Sequence, residues 1–424
     1  MAFRSSKSGI IKKSNIARDN MIGIPTSGME FSKYQLFITD DYPTIPYYEV
    51  DKSKLRSFGY GQLKLMIEEI SFLNIFWNPQ EIDNPQYVVA GAASGQHYPI
   101  LSTLFPKITF HLYDTADFSF APKEKYGDKE PGFSVKEYPR LKIYYQYFDR
   151  DSVRYWRRKQ KENGNVFLAS DIRTVPDDPK LKNYEERVYQ DMLLQEQWVL
   201  KINPVAASLK FRLPFIIVQK TGKEADEGTG EKRISIRTGK ETDGLFRYLD
   251  GFVMPQAWIE AASSETRLIP IRNRDGKYFR RQWDAVKYQD QLMFHNTLVR
   301  EKVEFRNPFR LGDQAREPIR EPDLLNDYDS VLTVFTLRQY LEKMAMAGDN
   351  SENTLQLLDT IISEIGKLLP SGKQKTIATR KRIKQSITLK SARRPERLSS
   401  RLPARRDKGK GKAVRVSPRK RDLF

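Results

Sequence analysis

Apolar residues recur along this chain with two spacings, one typical of helices and one of buried strands. From Gln62 to Asn74 they lie three or four residues apart, which predicts an amphipathic helix with Lys64 at the edge of its apolar face. Short apolar runs predict five strands, at Tyr87–Ala90, Ile108–Tyr113, Lys142–Tyr147, Val166–Ala169 and Leu209–Leu213. Further helices are predicted at about 97–104, 150–161 and 181–200.

The alternation of these strands and helices predicts a doubly wound α/β fold, with a mostly parallel sheet covered on both faces. Three late helices are predicted, at Asp284–Val299, Asp329–Met346 and Thr354–Leu368. Residues 34–58, which are rich in Tyr and Pro, are predicted to be irregular. The segment Lys220–Gly244, rich in Gly and charge, is predicted to be a mobile hairpin or loop.

Charge divides the chain into three parts. Residues 371–424 carry 20 Lys and Arg against three acids, so +17 of the net charge of +19 lies there. This segment has too few apolar residues to offset the entropy of ordering it, and we predict a disordered basic tail. Residues 1–33 are predicted to be a flexible basic arm, and residues 34–370 the folded domain. The tail is expected to bind nucleic acid, although a solubilising role or a nuclear import signal is an open alternative.

Composition also narrows the possible chemistry. The chain has no cysteine, which excludes thiol nucleophiles, cysteine-based zinc sites and disulfides. Its three histidines, His97, His111 and His295, are scattered, so we expect no metal site. No apolar run approaches the roughly 20 residues of a membrane span, so no membrane insertion is expected. The oligomeric state is left open.

A small-residue turn, Gly91–His97, follows the first predicted strand and leads into a helix. Small residues let a ligand approach the backbone, and a helix N-terminus favours an anionic group. The next strand ends at Asp114, where an acid holds the ribose diol in Rossmann-type folds. The alternative is that Asp114 only caps the loop that follows it.

Five segments, in this order, carry a more specific signal: Gln62–Lys64, Gly91–His97, Ser170–Arg173, Asn203–Phe215 and Ser264–Leu268. Together they resemble the poxvirus-type cap-specific mRNA 2′-O-methyltransferases, which also serve as the small subunit of poly(A) polymerase. More narrowly, they resemble FtsJ-like methyltransferases of the African swine fever virus type. The resemblance covers about residues 45–300. It implies a Rossmann-like fold that uses S-adenosylmethionine as cofactor.

The resemblance also implies a catalytic tetrad, which maps onto Lys64, Asp171, Lys210 and Glu265. In such enzymes a ribose 2′-oxygen attacks the methyl group of S-adenosylmethionine in line, and the methyl transfer needs no metal. A hydroxyl is a poor nucleophile until its proton is removed, so Lys210 is the expected base. The Lys64 charge would favour the neutral amine of Lys210, and the two acids would favour its ammonium form. The sequence leaves open which effect is stronger.

Implied cofactor contacts are Gln62, Gly91, Gly95, His97, Asp114, Phe148, Asp149 and Asp171. Three positions depart from the family pattern. Ser94 replaces a proline in the cofactor loop, Ala116 replaces an arginine beyond Asp114, and Asp149 replaces an apolar residue at the expected adenine edge. These departures suggest weaker cofactor binding, or binding that needs a partner.

Cap recognition in the family stacks 7-methylguanine between two aromatic rings and sets carboxylates against its positive edge. Phe215 matches one ring, and Tyr47 or Tyr48 is the candidate for the other. The two family acids align with Ile217 and Gln289, and a family tyrosine aligns with Ala262, so cap recognition must differ here or be lost. Further candidates for RNA contact are Arg173 and Arg212.

Two functions are therefore weighed. The first is a cap-specific RNA 2′-O-methyltransferase acting on capped viral mRNA. The second is a catalytically weak or inactive RNA-binding subunit that supports a poly(A) polymerase, with the polymerase catalytic subunit as partner. The resemblance implies a location in the host cytoplasm, at viral replication sites, with the virion as a further option.

Overall fold

The computed structural model of the protein describes residues 27–30, 36–51, 55, 60–174, 183–221, 230–260, 262–306 and 327–346. The predicted basic tail, the predicted helix Thr354–Leu368 and most of the predicted N-terminal arm lie outside the described residues. One piece of that arm, Ser27–Glu30, forms a strand.

The described strands are β1 (Ser27–Glu30), β2 (Gln86–Ala90), β3 (Thr109–Tyr113), β4 (Leu141–Tyr144), β5 (Val166–Ser170), β6 (Ala207–Phe211), β7 (Ile216–Thr221), β8 (Gly230–Ser235), β9 (Leu245–Leu249), β10 (Gly251–Met254), β11 (Thr266–Pro270), β12 (Arg280–Asp284) and β13 (Glu304–Arg306). The described α-helices are α1 (Gly61–Phe76), α2 (Tyr98–Leu104), α3 (Lys123–Tyr126), α4 (Arg150–Asn163), α5 (Tyr184–Ile202), α6 (Ala285–Phe294), α7 (Arg300–Lys302) and α8 (Tyr328–Met346). A π-helical turn, His295–Val299, joins α6 to α7.

A seven-stranded sheet organises the fold, with the order β10-β11-β6-β5-β2-β3-β4. All neighbouring pairs from β6 to β4 are parallel. Strand β11 is antiparallel to both of its neighbours, so it alone runs against the other six. From β2 the chain continues to β3 and β4 on one side of β2, and it then returns to the other side through β5. The switch point of a Rossmann-like sheet therefore lies between β2 and β5.

Two apolar layers cover the sheet. Helices α1, α2 and α8 contribute to one core, and helices α4 and α5 contribute to the other. Strands β2 and β5 lie between the two layers, and all but one of their ten residues are buried. This explains why their sequences are continuous apolar runs and not alternating patterns.

The predicted doubly wound α/β fold and its mostly parallel sheet are confirmed, with strand boundaries shifted by at most three residues. The insertion after β6 forms the hairpin β7–β8, whose connecting residues 222–229 are outside the described part. The predicted late helices near 284–299 and 329–346 are also present. Strands β9 to β12 were not predicted, because their apolar residues are interrupted by charged and turn residues.

Candidate active site

Four charged side chains meet at the carboxyl edge of the sheet. Lys64 lies in the first turn of α1, Asp171 directly follows β5, Lys210 lies in β6 and Glu265 directly precedes β11. Because β5, β6 and β11 are neighbours, their residues lie side by side at this edge. The Lys210 Nζ atom is 3.5 Å from Asp171 Oδ1 and 3.6 Å from Glu265 Oε2. The four residues of the predicted tetrad are thus brought into one site.

The charges of this site shift the pKa values of its members. Burial opposes ionisation of Asp171, but Lys210 and Arg267 prevail and lower its pKa. The pKa of Glu265 is also lowered, against the effect of burial, by Lys210 and Arg173. Burial lowers the pKa of the Lys64 amine, although Asp171 partly opposes this. The site therefore combines two ionised carboxylates with a lysine that loses its proton more easily than a lysine in water.

Arg267 is a member of the site that the sequence did not reveal. It lies opposite Lys210 in the β11–β6 ladder, where two like charges would repel each other. Asp171 Oδ1 accepts a hydrogen bond from Arg267 Nη2 at 2.7 Å and also faces Lys210, so one carboxylate bridges both cations. On its other side Arg267 Nε lies 3.0 Å from Glu68 Oε2, and Glu68 accepts a hydrogen bond from Ser208.

The sequence does contain a spacing signal for the contact between Arg267 and Glu68. Glu265 and Arg267 are two residues apart, so they share one face of an extended segment. Lys64 and Glu68 are four residues apart, so they share one face of α1. Glu265 and Arg267 therefore lie on one surface, and Lys64 and Glu68 lie on the surface that faces it. Each of the two cations has an acid within reach.

Arg173 and Arg212, the predicted RNA contacts, lie near this site. Arg173 Nη2 donates a hydrogen bond to Glu265 Oε1 at 2.5 Å, while its Nε and Nη1 atoms are buried with no hydrogen-bond partner among the described residues. Arg212 pairs instead with Glu185 of α5 at 2.8 Å. Arg173 thus offers unused donors beside the tetrad, whereas Arg212 is held against a helix.

The backbone between β5 and β6 is shaped by the Asn-Pro motif. Asn203 ends α5 in the left-handed conformation, with φ of 53°, and Pro204 cannot continue the helix. The chain therefore turns at once into β6, which carries Lys210 to the edge of the sheet. This gives the motif a structural reason within the described fold.

The glycine turn after β2 lies against the end of β5. Gly91 has a φ of +81°, and a Cβ atom placed on it would lie 2.9 Å from the backbone nitrogen of Ile172. Any side chain here would push against the segment that carries Asp171. Gly95, with φ of +65°, would likewise meet the carbonyl oxygen of Ala92 at 3.0 Å. The two glycines therefore allow the turn to pack closely against the end of β5.

Asp114 closes the same turn. Its Oδ2 accepts a hydrogen bond from the Ala93 amide at 3.0 Å, and its Oδ1 accepts one from the Ala116 amide at 2.8 Å. Each carboxylate oxygen has a second lone pair, so these bonds leave room for a diol. The geometry accommodates both the predicted ribose contact and the alternative of a loop cap.

Replacing Asp114 with Asn distinguishes these roles. The change keeps the shape but removes the charge and one acceptor, so we expect the dissociation constant of S-adenosylmethionine to rise by roughly tenfold or more, as for a lost charged hydrogen bond. Calorimetric titration of the full chain measures it. Asp117→Asn is the control, because Asp117 lies in the same loop and accepts a hydrogen bond from the Lys123 amide. Equal affinities for the two variants and the wild type would leave Asp114 as a loop cap.

Two predicted cofactor residues contact each other. The His97 ring is fully buried, and its Nδ1 atom lies 2.8 Å from Gln62 Oε1. Behind His97 lies Glu69, which accepts a hydrogen bond from the Tyr98 hydroxyl at 3.0 Å. The His97 side chain, at the end of the glycine turn, therefore orients Gln62 of α1. A direct cofactor contact by His97 stays a prediction.

Phe148 and Asp149 follow β4 at the same edge of the sheet. The Phe148 ring is buried and meets the rings of Tyr113 and Trp198 edge to face, at 5.0 and 4.9 Å. The Asp149 carboxylate caps α4 by accepting hydrogen bonds from the amides of Asp151 and Ser152. A polar residue at the expected adenine edge is thus explained by helix capping, and contact of either residue with adenine stays a prediction.

A cavity of about 350 Å³ opens beside the tetrad on the β7 side. It is lined by Tyr47, Tyr48, Glu49, Val50, Phe215, Ala262, Ser263, Ser264, Gln289, Leu292, Met293 and Asn296. The rings of Tyr47 and Phe215 meet edge to face, with centroids 4.9 Å apart. The Asp290 carboxylate holds Tyr47 by accepting a hydrogen bond from the Tyr47 backbone amide at 3.0 Å. Burial raises the pKa of Asp290 to about 6. The predicted aromatic residues are thus gathered around one cavity.

The positions aligned with the family acids are occupied differently here. The Gln289 amide is buried and bonds both backbone groups of Ile216, at 2.7 and 3.0 Å. Its polar atoms are therefore used by the β7 strand. Ile217 is exposed, and Ala262 lines the cavity. Glu49 is the one ionisable acid among the residues that line this described cavity.

The described residues contain neither a metal site nor a membrane-spanning helix. There, no group of three or more His, Asp or Glu side chains is arranged to hold a metal ion. None of the described helices is both long and apolar enough to cross a bilayer.

Comparison with known proteins places the chain in a family. The family model described as poly A polymerase regulatory subunit matches residues 31–366. The chain belongs to this family. A similar relative is the cap-specific mRNA (nucleoside-2′-O-)-methyltransferase of fowlpox virus, 28% identical over 262 residues, which cover 60% of this chain and 72% of that protein.

A solved structure is also similar to this chain. It is bluetongue virus VP4, described as a multifunctional RNA-capping production line. The similarity covers 70% of this chain and 45% of VP4, at 11% identity and a TM-score of 0.32. The chain therefore spans less than half the length of VP4.

Proposed function

We propose that this protein transfers a methyl group from S-adenosylmethionine to a ribose 2′-oxygen of capped viral mRNA. The observation that carries the proposal is the position of Lys210 Nζ between Asp171 and Glu265, at 3.5 and 3.6 Å, at the carboxyl edge of a Rossmann-like sheet. The relationship to the fowlpox methyltransferase supports the same reaction.

The described turn fits the proposed cofactor. Gly91 and Gly95 let the turn pack closely against the end of β5 and against Ala92, and Asp114 retains acceptor capacity for a ribose diol. When bound, S-adenosylmethionine supplies a methyl group on a sulfonium, which makes the methyl carbon electrophilic. Gln62 of α1 contacts His97, the last residue of this turn.

The chain's own residues then prepare the nucleophile. In this mechanism Lys210 accepts the proton of the ribose hydroxyl as its oxygen attacks. Asp171 and Glu265, both kept ionised, hold the Lys210 side chain in place and stabilise the ammonium that forms. Lys64, with its lowered pKa, positions the reacting ribose, and Arg173 is the proposed contact to the RNA backbone, which its buried Nε and Nη1 donors reach only after the side chain moves.

The decisive experiment compares two acceptors. The full chain is incubated with S-adenosylmethionine labelled in the methyl group and with a capped RNA whose first transcribed nucleotide carries either a 2′-hydroxyl or a 2′-hydrogen. We expect label only in the RNA that has the hydroxyl. Label in both RNAs, or in neither, would rule out methyl transfer to this oxygen.

The cavity beside Phe215 is the proposed cap site. Aromatic stacking on Phe215 and the charge of Glu49 are the features that suit a positively charged base. Because Tyr47 meets Phe215 edge to face, a base that stacks on Phe215 displaces the half-exposed Tyr47 ring. Tyr48 then remains to line the other side.

We expect Phe215→Ala to weaken binding of capped RNA by about 1–3 kcal/mol, the range for stacking of one base on an aromatic ring. Fluorescence anisotropy with capped and uncapped RNA of one sequence measures the effect. Phe252→Ala is the matched control, since Phe252 is an exposed phenylalanine on β10 that packs against Phe37. An equal loss of affinity for capped and uncapped RNA would show that this cavity does not bind the cap.

A second candidate function is supported by the family description and by the occupied Gln289 amide. In this proposal the protein is a weak or inactive methyltransferase that holds RNA for a poly(A) polymerase, its partner. Calorimetric titration of S-adenosylmethionine separates the two, because only the enzyme requires cofactor binding. Either role places the protein in the host cytoplasm at viral replication sites, with the virion as a second location.

A further inference from the structure

Helix α4 carries a stripe of basic residues along one side. At 100° per residue, the positions 150, 154, 157, 158 and 161 fall within an arc of about 100°, and they span about 16 Å along the helix axis. All five are basic and exposed: Arg150, Arg154, Arg157, Arg158 and Lys161. The side of α4 that packs on the sheet is formed by Ser152, Val153 and Trp156, which are buried on a different side of the helix. We refer to the five residues as the α4 stripe.

The acids of α4 do not neutralise the stripe. Asp151 pairs with Arg154 at 2.7 Å, and Glu162 lies 3.1 Å from Lys159 and 3.9 Å from Arg158. The side chains of Arg154 and Arg158 nevertheless remain 78% and 65% exposed. Among the described residues Arg150, Arg157 and Lys161 have no ion pair. Such exposed pairs are weak, so the stripe keeps most of its positive potential.

Favourable contact with the helix dipole accounts for only part of this pattern. Basic residues stabilise the last turn of a helix, which suits Lys161. Arg150 lies in the first turn, where a positive charge is unfavourable. Arg154 is near the middle, where the dipole has little effect. A helix selected only for stability would not place cations along its whole length on one side.

Exposed aromatic rings accompany the stripe. Tyr155 is 40% exposed, with Arg158 and Lys159 over its ring at 5.7 and 5.9 Å. Tyr147, three residues before α4, is 75% exposed. Cations with exposed rings are the combination that binds single-stranded nucleic acid, because phosphates meet the charges and bases stack on the rings.

The position of α4 connects the stripe to the site. It begins after β4, at one end of the carboxyl edge, and the tetrad lies at the ends of β5, β6 and β11. The cavity beside Phe215 lies still farther along, on the β7 side. The predicted cofactor residues at the ends of β2, β3 and β4 lie between the tetrad and the start of α4, so RNA that extends from the tetrad to the stripe passes outside these residues.

We propose that the α4 stripe is a second RNA-binding surface, which holds the phosphates of single-stranded RNA that extends beyond the reacting nucleotide. The surface deepens the proposed function and rests on it for the direction of the RNA. Its contacts go to phosphates and stacked bases, so its binding is independent of sequence and of the cap.

The test neutralises the centre of the stripe in the full chain. In Arg154→Gln/Arg157→Gln/Arg158→Gln, helix propensity is kept and three charges are lost. The control is Arg247→Gln/Arg274→Gln/Lys277→Gln, which removes three exposed charges from β9 and the turn before β12 at the other end of the fold. Each protein is titrated with capped and uncapped RNAs of roughly five and roughly twenty nucleotides, lengths that fall below and above a typical single-strand site.

For the α4 variant we expect affinity for the longer RNA to fall by roughly tenfold. The slope of log affinity against log salt should become shallower by about 2, or roughly 0.7 for each lost phosphate contact. Affinity for the five-nucleotide capped RNA and for S-adenosylmethionine should stay at the wild-type value. The control variant should behave as the wild type.

Two outcomes would overturn the proposal. An unchanged salt slope with the longer RNA would show that α4 does not touch RNA, and would leave an acidic protein as the partner of the stripe. An equal loss in the control variant would show that only total charge matters. Both results are independent of methyl transfer, since a protein without methyltransferase activity can still bind RNA through α4.

Discussion

Replacing Lys210 with Met should reduce the rate of 2′-O-methylation by about 10²–10⁴, the range for loss of a general base. The variant should fold, because Asp171 keeps Arg267 as a partner at 2.7 Å and Glu265 keeps Arg173. Its affinity for S-adenosylmethionine should stay close to that of the wild type, since the proton transfer occurs only on the way to the transition state. Single-turnover methylation together with calorimetry separates the two quantities.

A second substitution at this position tests the role of the amine. Lys210→Arg keeps the positive charge between the two acids but provides no neutral base, because arginine stays protonated. We expect it to be as inactive as Lys210→Met. Recovery of activity in the arginine variant would mean that Lys210 acts by its charge alone. Lys201→Met, at an exposed position near the end of α5, is the control for loss of a lysine.

Removing Arg267 should have the largest effect on stability. Arg267→Met leaves Glu68 and Asp171 without a buried cation that both contact, and breaking such a network costs about 3–5 kcal/mol. The pKa of Arg267 is raised in spite of its burial because Glu68 and Asp171 stabilise its charge. Unfolding in urea measures the loss, and Arg247→Met, at an exposed position of β9, should cost less than about 0.5 kcal/mol.

The double variant Arg267→Met/Glu68→Gln identifies the cause. Burial raises the pKa of Glu68, and with both charges removed no unpaired charge remains at this position. The double variant should therefore be more stable than Arg267→Met alone. If the two free energies of unfolding were equal, or if Arg267→Met resembled Arg247→Met, the arginine would not be the partner that holds these acids.

Sequence patterns predicted the parts of the fold in which one residue type dominates. Strands β2 and β5 are buried on both faces, so their apolar runs were readable. Strands such as β12, with the sequence Arg-Arg-Gln-Trp-Asp, carry charges on an exposed face and owe their conformation to pairing with β9. A pattern based on hydrophobicity cannot detect such a strand.

The candidate site shows the same division. The tetrad could be placed because each member stands in its own motif, and the structure brings all four together. Arg267 and Glu68 were missed because their contact joins β11 to α1, and the spacing of charges along each element does not reveal how that helix packs on the sheet. The occupied amide of Gln289 was hidden for a similar reason, since it depends on the path of β7.

Helix α8 packs directly on α1, the helix that carries Lys64 and Glu68. The Ser71 and Thr336 hydroxyls bond at 2.7 Å although the two residues are 265 positions apart, and Lys343 Nζ donates to the Leu73 carbonyl at 3.0 Å. These bonds anchor the half of α1 that follows Lys64 and Glu68. Genetic screens for loss of methylation should thus recover substitutions in α8, in residues that never approach the RNA or the cofactor.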